Sequence, residues 1–336
     1  MARLYPYGYG SVVVTHAWAG HDNPAVGIHR TARDKGNFQM DIEDSTHAQP
    51  SAPDKFAGRD WYYDFRVLCD LDNTACTSVA QRMLQRYANE TKAWTPAQNS
   101  EWTCRLYMAA KLIMAATLHV NACDFSEDKN LRVVAPYLRY YAVLSLLRAV
   151  CYTLPNCKWN DGGLIQMRHA KAIQGAVDHL RKFDSGIADK AEKEIRLLKA
   201  ERELISYRAP TTGDENVGDR NEFVGLCMLL ADVAQFNSEL FEVSLLKHAD
   251  LSTFQLRSSD VEKVAFVEID GHRFLDGDDL RRLDFFQRKH PHPTNLMFYM
   301  KEGHVDDFFL AWGTEDDELP HQFDPDSFIR SIFDIP

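Results

Sequence analysis

Apolar residues recur at helical spacing through most of the centre of the chain. The pattern predicts helices over 76–90, 96–121, 135–153, 161–183, 187–207 and 219–248. Helix punctuation separates them: Pro136 near a first turn, Pro155, Gly162-Gly163, Asp184-Ser185-Gly186, and Pro210 with Gly213. In "APYLRYYAVLSLLRAVCYT", Tyr137, Tyr141, Leu144 and Cys151 fall on one stripe. In "IADKAEKEIRLLKAERELISY", Ile187, Ile195, Leu198 and Ile205 fall on another, and Glu192 and Arg196 are spaced i,i+4 on the polar face.

The ends read differently. Residues 1–60 are rich in Gly, Pro, Asp, His and Ser, with a short strand candidate, "SVVVTHAW", and a loop at 47–60. "WYYDFRVLCDL" (61–71) is aromatic and β-branched enough for a strand. "KVAFVEIDGHRFL" places Asp270-Gly271 between apolar runs, a hairpin signal, and "NLMFYMKEGHVDDFFLAW" (295–312) suggests a second hairpin turning at Glu302-Gly303. The expected fold is α+β: a central helical bundle flanked by a small, mostly antiparallel sheet drawn from both ends. Its parts are an N-terminal α+β segment (1–95), the bundle (96–250) and an acidic, hairpin-rich segment (251–336).

Charge adds a polarity to this layout. The net charge is −11, yet residues 250–336 carry 19 acidic against nine basic side chains, while 129–212 carry 15 basic against eight acidic. The basic middle is an expected face for RNA or another anionic partner, with Lys158, Arg168 and Lys171 as its contacts. Lys111 and Arg148 interrupt the most apolar stretches, so no membrane span is expected, and "MARLYPYGYGSVVVTHAW" lacks the features of a signal peptide. Seven cysteines do not suggest a disulfide framework; a reduced, cytoplasmic setting is the expectation.

Two stretches carry chemistry. "VLCDLDNT" (67–74) resembles the opening of haloacid-dehalogenase-like phosphatases, which would make Asp70 the nucleophile and Asp72 the acid/base, with a metal ion between carboxylates and phosphate. That chemistry needs a parallel sheet which the helical centre does not offer. A strand end with an Asx turn entering a helix is the simpler reading. "FLDGDDLRRLD", with Asp278, Asp279 and Asp284, imitates the acidic motif of such enzymes without a buried strand before it.

The second resemblance lies between residues 135 and 210. Tyr140-Tyr141-Ala142 in an opening helix, Arg168-His169 before an amphipathic helix, and Arg202…Tyr207 late in the next follow an order similar to HEPN-like domains. The resemblance implies a helical bundle, a homodimer or a partner protein, and a place in a microbial defence or toxin-type system. Many such domains cleave RNA with Arg-x4-6-His, in which Arg steadies the phosphate and His moves a proton. No Arg stands five to seven residues before any of the 13 histidines here. The expected function is therefore nucleic-acid sensing or interaction. The alternative is RNA cleavage at a displaced site using His169, Arg202 and Tyr207.

Weaker constellations complete the reading. His119 and Cys123 are spaced for two ligands on one helix face, but no Cys-x-x-Cys completes a zinc site. "RKHPHP" with His304 and Asp306-Asp307 reads as a polar loop or a metal cluster. No phosphate-cradling glycine loop or nucleophile elbow is present, and no cofactor is expected.

Overall fold

The computed structural model describes residues 55–214, 223–250, 256–289, 295–313 and 322–335; the strand candidate in "SVVVTHAW" lies outside them. The helices are α1 (Asn73–Thr91), α2 (Pro96–Asp128), α3 (Ala135–Tyr152), α4 (His169–Leu180), α5 (Ser185–Arg208), α6 (Phe223–His248), α7 (Ser258–Ala265), α8 (Gly277–Lys289) and α9 (Glu302–Leu310). Strands β1 (Phe266–Ile269) and β2 (His272–Leu275) form an antiparallel hairpin that pairs Phe266 with Leu275 and Ile269 with His272. Asp270 and Gly271 both take positive φ at its turn, as a two-residue hairpin loop of this kind demands.

Local chemistry sets the helix starts. Asp72 accepts from Thr74 N (3.0 Å) and Ala75 N (3.3 Å) to open α1. Thr95 and Gln98 form a reciprocal capping box ahead of Pro96 at α2, and Asp184 accepts from Ile187 N (2.8 Å) at α5. The helix expected over 161–183 begins only at His169. Asn160, Asp161 and Gly162 all take positive φ, and this left-handed run turns the chain before α4 can start.

The bundle core is α2 and α3 packed along each other, with α6 against α3 and α1, and α4 and α5 closing over α3. Trp102, Tyr107, Tyr140, Tyr152, Phe236 and Phe241 are wholly enclosed in it. By length and composition α2 and α6 are apolar enough to cross a membrane, but their most apolar windows are 61% and 83% buried against the rest of the protein. The apolar surface that such a span would show to lipid is here given to neighbouring helices.

Two sheet expectations are corrected. Residues 61–71 are not a strand: they run as bends into a 3-10 turn, Leu68–Asp70. Their backbone donors go to acids of α6 instead of to a ladder. The enclosed carboxylate of Asp232 takes the N–H groups of Arg66 (3.1 Å), Val67 (2.9 Å) and Leu68 (3.0 Å), and Glu239 takes that of Tyr62 (3.2 Å). The second hairpin is a 3-10 turn (Leu296–Tyr299) followed by α9, because Val305, Phe308 and Phe309 share one helical face. The two ends do meet. Phe333 packs on Tyr63 (ring centroids 4.7 Å apart) and Arg66 pairs with Asp334 (3.1 Å), but through side chains and not through a sheet.

Candidate functional site

Three helices bring the residues of the HEPN-like resemblance together at one corner. Tyr140 and Tyr141 are neighbours in α3 and so point about 100° apart. Tyr140 turns inward, and Tyr141 stays 37% exposed, outside the buried stripe expected for it. The Tyr140 hydroxyl lies 2.9 Å from Nδ1 of His169, the first residue of α4. The Tyr141 ring meets the same imidazole edge-on, centroids 6.3 Å apart. From α5, the Arg202 guanidinium covers the Tyr140 ring at 5.1 Å and the Tyr207 ring at 6.0 Å. Tyr207 itself is 73% exposed, not the core residue its position in an amphipathic helix suggests.

The corner is not saturated with partners. One Arg202 amine pairs with Glu203 (3.1 Å), while its Nε is buried with no hydrogen-bond partner among the described residues. Arg148 donates to the carbonyl of Met167 (2.8 Å), which fixes the turn leading into α4, and its Nε is equally unpaired. Burial first, then repulsion from Arg148, Arg202 and Lys199, holds the His169 imidazole below its ordinary pKa, so it is neutral at pH 7. Burial also raises the Tyr140 phenol, which keeps its proton. The arrangement can offer a phosphodiester one guanidinium and a neutral imidazole, with two exposed tyrosine faces on which bases can stack.

The expected basic contacts divide. Arg168 and Lys171 are exposed at the same end of α4 as His169. Lys158 instead lines a different hollow of about 770 Å³ with Trp94 and Arg105. Asp70 and Asp72 lie at a turn and a helix cap, and the oxygens of Asp72 are taken by backbone N–H groups. A phosphatase sheet is absent among the described residues, whose single sheet has two strands. His119 and Cys123 gain no further ligand: no group of three or more metal-ligating side chains occurs among the described residues.

The acidic stretch and the His304 segment do come together, around residues the sequence did not single out. The nearly enclosed Asp279 accepts from the Tyr107 hydroxyl (2.6 Å) and from Lys111 Nζ (2.6 Å), and Asp276 takes Lys111 at 3.2 Å. His304 stacks on Tyr107 (centroids 5.3 Å apart, 10° between planes) and hydrogen-bonds the Tyr299 carbonyl through Nδ1 (2.7 Å). Here Lys111 serves both carboxylates, and Arg282 pairs with Asp307. Arg148 and Lys111, each a lone charge inside an apolar run, were the available signals for both clusters.

The hairpin is the third unusual surface. All eight of its strand residues are exposed, among them Phe266, Val267, Ile269, Phe274 and Leu275. No family model, curated protein or solved structure matches this chain.

Proposed function

We propose that this chain is a nucleic-acid-sensing interaction component of a microbial defence or toxin-type system, built on a HEPN-like bundle that lacks the usual ribonuclease motif. One observation carries the reading: Tyr140, His169 and Arg202 come from three separate helices to one half-open corner with an unpaired Arg202 donor. The Arg202 guanidinium keeps its charge beside a single carboxylate, Glu203, and a phosphate reaching the corner gains a charge-assisted contact with it. Lys199 adds a further cation facing the imidazole, Arg168 and Lys171 lie exposed at the start of α4, and Tyr141 and Tyr207 supply stacking faces.

Anisotropy of a fluorescein-labelled single-stranded RNA tests this. Binding is expected to weaken steeply with salt. Arg202→Ala is expected to reduce affinity about tenfold, the order of one charge-assisted contact, and the Arg168→Glu, Lys171→Glu pair to weaken it across sequences. No binding at low salt, or binding indifferent to Arg202→Ala, contradicts the proposal.

A second reading has its own support, since the Arg and His absent as a linear motif adjoin in space. In it Arg202 steadies the phosphate and His169 moves the proton, giving RNA cleavage that survives EDTA and is lost in His169→Ala. Intact total RNA after incubation eliminates it.

For the partner we propose a second copy. Both outer edges of the hairpin lack ladder partners among the described residues, and like edges pair antiparallel across a two-fold axis. Light scattering is expected to give twice the chain mass, reduced to one by Ile269→Lys with Phe274→Lys. A one-chain mass unchanged by concentration contradicts it.

A further inference from the structure

A hollow of about 550 Å³ opens where α1, α4 and the residues after each of α3 and α4 converge, and its lining is charged in one sense only. Arg82 and Arg86 enter from α1, and Arg181 and Lys182 from the end of α4; no acidic side chain lines it. Two of these cations have no ion-pair partner among the described residues. Arg82 donates to the neutral Ser78 hydroxyl (2.9 Å), and Lys182 Nζ lies 3.5 Å from His179 Nδ1; neither has a carboxylate within ion-pair distance among the described residues. Arg86 and Arg181 do have carboxylate partners, Glu90 for the first and Asp178, Asp189 and Glu192 for the second, all outside the hollow.

His179 explains how Lys182 is held without being neutralised. The imidazole is 2% exposed, and its Nε2 lies 2.7 Å from Asn237 Oδ1. An amide oxygen only accepts, so Nε2 carries the hydrogen and Nδ1 presents its lone pair to Lys182. Burial, with the positive charge of Lys182 next, lowers the imidazole pKa to about 3, so the ring stays neutral. Burial and then the repulsion of Arg86 lower the Lys182 ammonium from its ordinary value. The fold therefore gathers like charges and supports one of them with a neutral acceptor. Such an arrangement is relieved by an anion.

The walls are apolar. Val79, Met83 and Leu154 line the cavity beneath the cations. Volumes of about 300–1,000 Å³ with apolar walls and a few polar groups are those of small-molecule sites, whereas a nucleic-acid strand runs along an open groove. We infer that this pocket binds a phosphorylated small molecule of nucleotide size, its phosphates on Arg82, Arg86 and Lys182 and its ring against Val79, Met83 and Leu154. The site shares no residue with the Tyr140–His169–Arg202 corner, and it stands or falls independently of RNA binding there.

Calorimetric titration of the full chain with AMP, ATP, adenosine and inorganic phosphate tests it. The nucleotides are expected to bind, ATP the tighter, with inorganic phosphate at least tenfold weaker and adenosine weaker still. Arg82→Glu and Lys182→Glu, both at exposed positions, are each expected to cut nucleotide affinity at least tenfold while circular dichroism and melting stay as in the parent. Lys193→Glu, on the outer face of α5, is expected to leave affinity within twofold and controls for net charge. Absence of nucleotide binding overturns the inference, as does binding that Arg82→Glu and Lys182→Glu leave intact. Inorganic phosphate binding as tightly as AMP removes the role given to the apolar wall and overturns the nucleotide assignment. Should either variant fold poorly, Lys182→Gln and Arg82→Gln keep size and polarity and are expected to weaken ATP more than AMP.

Discussion

The Lys111–Asp279 cluster and the Tyr140–His169–Arg202 corner use nearly the same side chains: tyrosine, histidine, a cation. They differ in what is left over. In the first, the phenol and the ammonium both end on one enclosed carboxylate, and His304 is tied to a backbone carbonyl. In the second, a guanidinium lies between two rings with a donor unspent, and one of those rings faces solvent. Exposure separates them too: Asp279, Tyr107 and His304 are enclosed, whereas the second cluster shows two tyrosine faces to solvent, where a ligand can reach it. The Asp232 anchor is enclosed like the first, with three backbone N–H groups on one oxygen, although its other oxygen has no hydrogen-bond partner among the described residues.

The largest expected effect separates the two kinds. Asp232→Ala removes the acceptor of three backbone donors, one buried and two half-buried, and is expected to cost about 3 kcal/mol or more of stability. Arg202→Ala is expected to cost about 1 kcal/mol or less while carrying the loss of RNA binding. Urea melts of both variants check this, and equal stability losses erase the distinction.

Next in size is pH. Burial lowers His304 to about 4 and His179 to about 3, from an ordinary 6.5. Both stay neutral in the folded protein while the unfolded chain takes up protons below about 6.5. The stability they confer is thus complete above pH 6.5 and is lost as pH falls towards 4, by at most about 1.4 kcal/mol per pH unit for each ring. Urea melts between pH 7 and 4.5 read the slope. His304→Phe, which keeps the stack on Tyr107, is expected to make it shallower, and a slope unchanged in that variant contradicts the closed-cluster account.

Smaller effects belong to the exposed tyrosines. Tyr141→Ala and Tyr207→Ala are each expected to weaken RNA binding by about 1–2 kcal/mol with little change in melting. The smallest is Asp72→Ala, expected to cost about 1 kcal/mol of stability as a lost helix cap and nothing in RNA affinity. A loss of binding there would restore chemical meaning to the "VLCDLDNT" stretch.

Helices and the Asp270-Gly271 hairpin were legible because their signals are local: the Thr95/Gln98 box, the Asp184 cap and a turn that needs positive φ. Residues 61–71 were not, because their donors end on Asp232 and Glu239, more than 160 positions away. An acid inside the apolar helix "LLADVAQFNSELF" signalled a buried partner but not which one. At 295–312 a strand composition hid the helical spacing of Val305, Phe308 and Phe309. The corner was half legible. Its members stood in the expected order, but which tyrosine faces solvent depended on the rotation of α3, and Arg148 entered only through the turn it fixes at Met167.

Photo-crosslinking tests the central claim most directly. The protein, bound to a single-stranded RNA bearing 4-thiouridine, is irradiated, digested and mapped by mass spectrometry. The account predicts adducts on the peptides carrying Tyr141 and Tyr207, lost together in Arg202→Ala. Adducts confined to the Lys158 hollow or to the acidic segment after residue 250, or adducts at the tyrosines that Arg202→Ala leaves unchanged, would contradict it.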